Sequence, residues 1–230
     1  RIMAAGGAKK LDRRAWKRAG QGIAHWVATM TTQGGGSAFR ALERSAVADD
    51  RRRDGLLSQA AKFDKESLTP AIAAALGKTP HGGRLAWEVS LPEDMSHDGD
   101  AKLAVMMPQW DVRRGRMHVD YSKDHVRLEL FAGRNPLVSG ALETMLWVDG
   151  ESLQPAGDWE EVCEYSDDDV HYLEIEQAWT GGCLLQRQLM LLRDDRCVVF
   201  ADAVLPSEAT TRLGSIQYTC RIPVAEGVKL

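Results

Sequence analysis

Between Arg113 and Arg127 the chain sets His118, Asp120, Tyr121, Asp124 and His125 close together, with Arg114 beside the first of those arginines. Histidine and tyrosine can take or give a proton, and arginine can neutralise a carboxylate. His118, Tyr121 and Arg127 are therefore the candidate catalytic set, and Arg113 and Arg114 are candidates for holding an acidic ligand. Met117, Val119 and Tyr121 alternate with His118, Asp120 and Ser122, the period of a β-strand. His118 and Asp120 then share one face, where the carboxylate could orient the imidazole. The competing reading is a solvated face of an outer strand, since polar pairs across a strand face are ordinary.

His118, Asp120 and Asp124 are also zinc-ligand types, although their spacing singles out no centre. Asp167, Asp168 and Asp169 would suit calcium, but three aspartates before a strand read more simply as a turn. The implied cofactor, if there is one, is a divalent metal, zinc or calcium. Seven tryptophans outnumber the four phenylalanines and the four tyrosines. Flat indoles stack on sugar rings and also fill sandwich cores. Trp110 and Trp159, in expected loops, are the candidates for a glycan platform.

These side chains need a scaffold. Apolar residues recur at helical spacing over residues 10–31, with Trp16, Ala19, Ile23, Trp26, Val27 and Met30 on one face. Further helices are expected over residues 38–48, 52–63 and 66–76, with Pro70 in a first turn. The glycines at 34–36 are not followed by Lys-Ser/Thr, so they form no phosphate loop.

From residue 84 the period becomes that of strands. They are expected over residues 84–91, 102–107, 117–121, 126–130, 144–149, 151–153, 170–178, 184–192, 197–205 and 210–220, with a polar loop over 92–100. Asp149-Gly150 is a favoured two-residue hairpin turn. Strands joined by short turns with no helices between them predict an α+β chain, a helical segment over 1–80 followed by a large antiparallel β-sandwich over 84–230.

Up to residue 55 there are 12 Lys/Arg against 5 Asp/Glu, +7; the remaining 17 against 28 give −11. The basic residues lie on an amphipathic helix whose tryptophans face inward, which argues against nucleic acid as the partner. No apolar run is long enough to span a membrane. Cys163, Cys183, Cys197 and Cys220 have no metal-finger spacing and read as packed or strand-borne thiols, with one disulfide open to an exported protein. A chain that starts on Arg1 is expected to be part of a longer polypeptide, or to be completed by another subunit.

Four stretches carry a family resemblance: DHVRLELFAGRNPLVSG, ESLQPAGDWEEV, HYLEIEQAW and LLQRQLMLLRDDRCVVFADAV. Over about residues 110–220 the chain resembles the C-terminal β-sandwich domain of heparinase II/III-like polysaccharide lyases. It does so in the turn Phe131-Ala132-Gly133-Arg134-Asn135-Pro136-Leu137, in the strand arginine Arg187, and in the hairpin ending at Asp202. The resemblance implies a sandwich following a helical toroid, an acidic polysaccharide as partner, β-elimination if the chain is catalytic, and a periplasmic or extracellular location; without it the location would be cytoplasmic. It sets Asp124 on the family's aspartate and Ser122 on its histidine. The alternative of a different class is a non-catalytic β-sandwich scaffold or interaction module.

Overall fold

A computed structural model of the chain describes residues 13–32, 37–39, 68–75, 91–133, 135–207 and 214–228. They belong to two compact units, Arg1–Ser37 with Ala46–Pro92, and Ala38–Ser45 with Glu93–Leu230. No helix among the described residues is long and apolar enough to cross a membrane.

The first unit holds α1 (Arg13–Thr29) and α2 (Leu68–Ala75), which pack on each other. The face of α1 that is buried is not the expected one. Gly20, Ala24 and Ala28 are buried at helical spacing, whereas Ala19 is exposed and Ile23 is 65% exposed. On α2 the buried positions include Ala71, Ala74 and Ala75. Small residues let two helix axes approach closely; among the larger apolar side chains described on the pair, Ile72 is buried as well, while Trp26 and Val27 are half-buried. Thr31 Oγ1 donates to the Val27 carbonyl at 2.6 Å and so satisfies one of the free acceptors at the end of α1. Ala38 and Phe39 form a turn, with Phe39 at φ 61°, where a helix over 38–48 was expected. The rest of that helix, the one over 52–63 and the strand over 84–90 lie outside the described residues.

The second unit is an antiparallel β-sandwich. Its five-stranded sheet runs in chain order through β1 (Met95–Asp98), β2 (Leu103–Met106), β3 (Arg116–Asp120), β4 (Arg127–Ala132) and β5 (Asn135–Ala141). A four-stranded sheet contains β8 (Glu160–Ser166), β9 (Val170–Trp179), β10 (Cys183–Leu192) and β11 (Cys197–Pro206), again with sequence neighbours paired. The third sheet sets β6 (Glu143–Val148) between β7 (Glu151–Ser152) and β12 (Ile216–Arg221). Alternate residues supply one apolar layer: Met106, Val119 and Leu128 from the first sheet, Leu173, Leu185 and Leu189 from the second, Leu146 from the third. The α+β class and the hairpin at Asp149-Gly150 are as expected.

Three strands were not foreseen. β1 lies within the expected loop over 92–100, because Met95 and Ser96 are buried and the strand pairs with β2 from Met95↔Met106 onward. β5 begins at Asn135, inside what reads as a turn over residues 131–137, and runs on to Ala141. In β8 every residue is exposed, so it has no apolar alternation to betray it. The four cysteines are free thiols.

Candidate functional site

Between β2 and β3 the chain makes a short 3-10 turn, Val112–Arg114, capped by Asp111. The Asp111 carboxylate accepts from the Arg113 backbone N–H at 3.0 Å and from its guanidinium at 2.7 Å. Burial disfavours that charge, but these bonds and the nearby arginines outweigh it and hold the carboxyl below its usual pKa. Gly115 ends the turn at φ 106°, and a Cβ there would stand 2.5 Å from the Phe131 carbonyl oxygen. Gly133, at φ 61°, meets the same turn from the other side; its Cβ would be 3.0 Å from the Arg113 carbonyl oxygen. Two glycines thus let the arginine-bearing turn lie directly on the β4–β5 hairpin.

The result is a cavity of about 550 Å³ in the sandwich unit, lined by Arg113, Arg114, Arg116 and Arg196 and by no Asp or Glu among the described residues. Met117, Leu130, Leu191 and Val198 supply apolar wall. Arg196 comes from the β10–β11 turn, far away in sequence. Arg116 is 2% exposed; its guanidinium lies 5.5 Å over the Trp110 ring and donates to the Trp110 carbonyl at 3.1 Å. Burial pushes its pKa down to about 10, against the pull of Asp111 and Asp94. Arg114 and Arg196 are exposed and form no ion pair among the described residues. Four arginines at one cavity stand out in a segment that, from residue 56 on, is acidic overall.

The two tryptophans chosen as a sugar platform do other work. Trp110 is fully buried and Trp159 is 2% exposed, so neither offers a face to a ligand. Their indole N–H groups donate to the carbonyls of Glu93 and Asp124, at 3.2 and 3.1 Å. Each ring instead carries a guanidinium: Arg116 over Trp110, and Arg187 at 5.2 Å over Trp159.

The expected catalytic set does not converge. His118 and Tyr121 project to opposite faces of β3 and its continuation. His118 is fully buried with Phe39 and Phe131 edge-on to it, and it stands in register with Glu129 and, beyond it, Ser139. Arg127 is ion-paired with Asp120 and lies 5.2 Å over the Phe39 ring. Burial works against the Asp120 charge, but hydrogen bonds from Ser122 and Arg127 prevail and lower its pKa. This face is therefore buried and paired, not solvated.

Nor do the expected metal ligands gather. Asp120 is engaged as above, and Asp124 is an exposed loop residue. Asp167 accepts from the backbone N–H groups of Asp169 and Val170, each at 2.8 Å, a turn-forming role.

Tyr121 meets an unforeseen partner. Its hydroxyl is 2.6 Å from Nε2 of His97 on β1, whose Nδ1 faces Glu164 at 3.0 Å and Glu161 at 3.6 Å. Burial first, then the charges of Glu161, Glu160, Glu164 and Asp98, push the Tyr121 pKa up to about 12. Among the described residues this His97, Glu161 and Glu164 trio has the donor set for a metal. The trio joins a residue from an expected loop to two glutamates on an unforeseen strand, so spacing held no signal for it.

The resemblance's Arg187 and Asp202 form a buried pair. They are register partners on β10 and β11, joined by two hydrogen bonds of 2.8 and 3.0 Å. Tyr218 also bonds Asp202, and Thr144 accepts from Arg187 at 3.1 Å. Burial opposes the Arg187 charge, yet the Asp202 carboxylate raises its pKa overall. Comparison of the chain with family models, curated proteins and solved structures found no match.

Proposed function

We propose that the sandwich unit binds an acidic polysaccharide, as a divergent or partial heparinase II/III-like protein, and that the arginine cavity is where it does so. The observation that supports this most is the gathering of Arg113, Arg114, Arg116 and Arg196 around one cavity whose lining, among the described residues, holds no carboxylate. A guanidinium offers a planar fork of donors to carboxylate or sulfate oxygens, and two flexible exposed arginines beside a rigid buried one suit a repeating anionic chain.

Binding is favoured over β-elimination within this chain. Elimination from a uronate needs the carboxylate-neutralising cation and the base at the same sugar. Arg116 and Tyr121 are five residues apart along an extended strand, about 16 Å at 3.3 Å per residue, while His118 is buried on the other face. That separation supports the reading of a non-catalytic binding module.

The test is titration calorimetry with heparan, chondroitin and alginate oligosaccharides, with a neutral glucan as control. Acidic chains should bind with an affinity that falls as salt rises, and Arg114→Glu with Arg196→Glu should weaken them. Equal binding of the neutral glucan, or no effect of the double reversal, would contradict the proposal. An unsaturated product absorbing in the ultraviolet would replace binding alone with catalysis.

A further inference from the structure

Glu161 and Glu164 are three residues apart, a spacing that on a regular strand sends side chains to opposite faces. The register of β8 against β9 shifts between Glu161 and Cys163, so one extra residue is accommodated there. Such a bulge re-aims the side chains beyond it, and it brings both carboxylates to the same imidazole nitrogen. Nδ1 of His97 lies 3.0 Å from Glu164 Oε2 and 3.6 Å from Glu161 Oε2. The three donor atoms all fall within 4.8 Å of one another. A tetrahedral zinc ion with bonds of about 2.0–2.2 Å holds its ligand atoms roughly 3.3 Å apart, so a cation fits between these three with little movement.

The other ring nitrogen is held. Nε2 is 2.6 Å from the Tyr121 hydroxyl, and the two rings stack with centroids 6.0 Å apart. A hydrogen bond of this kind fixes the orientation of a metal-binding histidine. The His97 side chain is 3% exposed while those of Glu161 and Glu164 are 38% and 39% exposed. A buried nitrogen at the back and two carboxylates at the mouth leave room for water on the outer side. Lys102 is engaged with Glu160 at 3.1 Å, and no Lys or Arg among the described residues pairs with Glu161 or Glu164.

We propose that His97, Glu161 and Glu164 form a zinc-type divalent metal site with one nitrogen and two carboxylate oxygens, its remaining position open to water. β1 and β8 are edge strands of two different sheets. The metal clasps those edges together and stabilises the sandwich by binding only its folded form.

The site is tested with zinc and cobalt(II) on the metal-stripped whole chain, by calorimetry, melting and visible absorption. One-to-one binding is expected, with a rise in melting temperature of several degrees. The cobalt spectrum should lack thiolate charge-transfer bands. Glu161→Gln with Glu164→Gln, at exposed positions that leave the core intact, should abolish both the binding and the rise. His97→Gln should do the same where it folds. Exposed Cys163 and Cys197 are the rival ligands. Metal binding that survives the glutamate changes but vanishes in Cys163→Ser with Cys197→Ser would overturn the proposal, as would failure of the native chain to bind either metal.

Discussion

The two ends of β3 differ in charge. At its start, Arg113, Arg114 and Arg116 join Arg196 at a cavity with no lining carboxylate among the described residues. Beyond its finish, Tyr121 leads to His97 and the paired glutamates of β8. The first arrangement suits an anion, and the second suits a cation. In the other large sheet, Arg187 and Asp202 show what the fold does with a charge that serves the core: it buries a partner in direct contact, in register on the neighbouring strand. The contrast teaches that charge left at the ends is separable from charge that holds the sandwich together, and variants can be chosen to separate them.

The largest effect is expected at the Arg187–Asp202 pair. Arg187→Met leaves Asp202, whose side chain is 5% exposed, without its cation. Breaking one partner of a buried pair costs about 3–5 kcal/mol, to be read from denaturant unfolding. Should the variant unfold at the native midpoint, the pair is not what distinguishes the core from the ends.

Next comes Gly115→Ala. The added Cβ meets the Phe131 carbonyl oxygen at 2.5 Å in a left-handed backbone. A loss of about 1–3 kcal/mol is expected from the backbone strain, together with weaker binding of acidic chains because the arginine turn is displaced. Unchanged stability and unchanged binding would mean that the turn does not need its seat on the hairpin.

Reversing Arg114 and Arg196 to Glu should weaken acidic polysaccharide binding about tenfold or more, about 1.4 kcal/mol, with the melting temperature held. Glu161→Gln with Glu164→Gln should leave that affinity where it was. Equal losses in the two pairs would erase the contrast between the ends.

A pH-dependent effect concerns Asp94, which pairs with Arg193. Burial raises its pKa from 3.8 to about 6, outweighing the attraction of Arg193. The folded state therefore holds that proton more tightly than the unfolded one. The stability this contributes is complete below 3.8 and is lost as pH rises through about 6. Asp94→Asn should flatten the melting profile across that window; an unaltered slope would show that another group titrates there.

The architecture was legible where pleat and burial agree. Val119 and Tyr121, or Leu173 and Ile175, alternate with polar neighbours and face one shared layer. It was illegible in β8, which exposes both faces, and in α1, where close helix packing buries Gly20, Ala24 and Ala28 in preference to Ile23. Arg113 and Arg114 were legible as candidate anion-binding arginines by type and position, and the fold sets both at one cavity. Arg196 was not, because only the fold brings the β10–β11 turn to them. Trp110 and Trp159 were expected to offer their faces to a sugar and are instead buried, because composition cannot tell an indole that faces a ligand from one that carries a guanidinium. His118 and Asp120 have the right letters for chemistry, yet a strand buried on both faces uses them for packing and pairing.

The most direct test of the anion-binding account is a nitrogen-labelled titration with an acidic hexasaccharide, following backbone and arginine side-chain resonances together. Shifts concentrated at Arg113, Arg114, Arg116, Gly133 and Arg196, with His97, Glu161 and Glu164 still, are what the account predicts. Shifts centred on the His97 end, or none at any arginine of the cavity under saturating ligand, would contradict it.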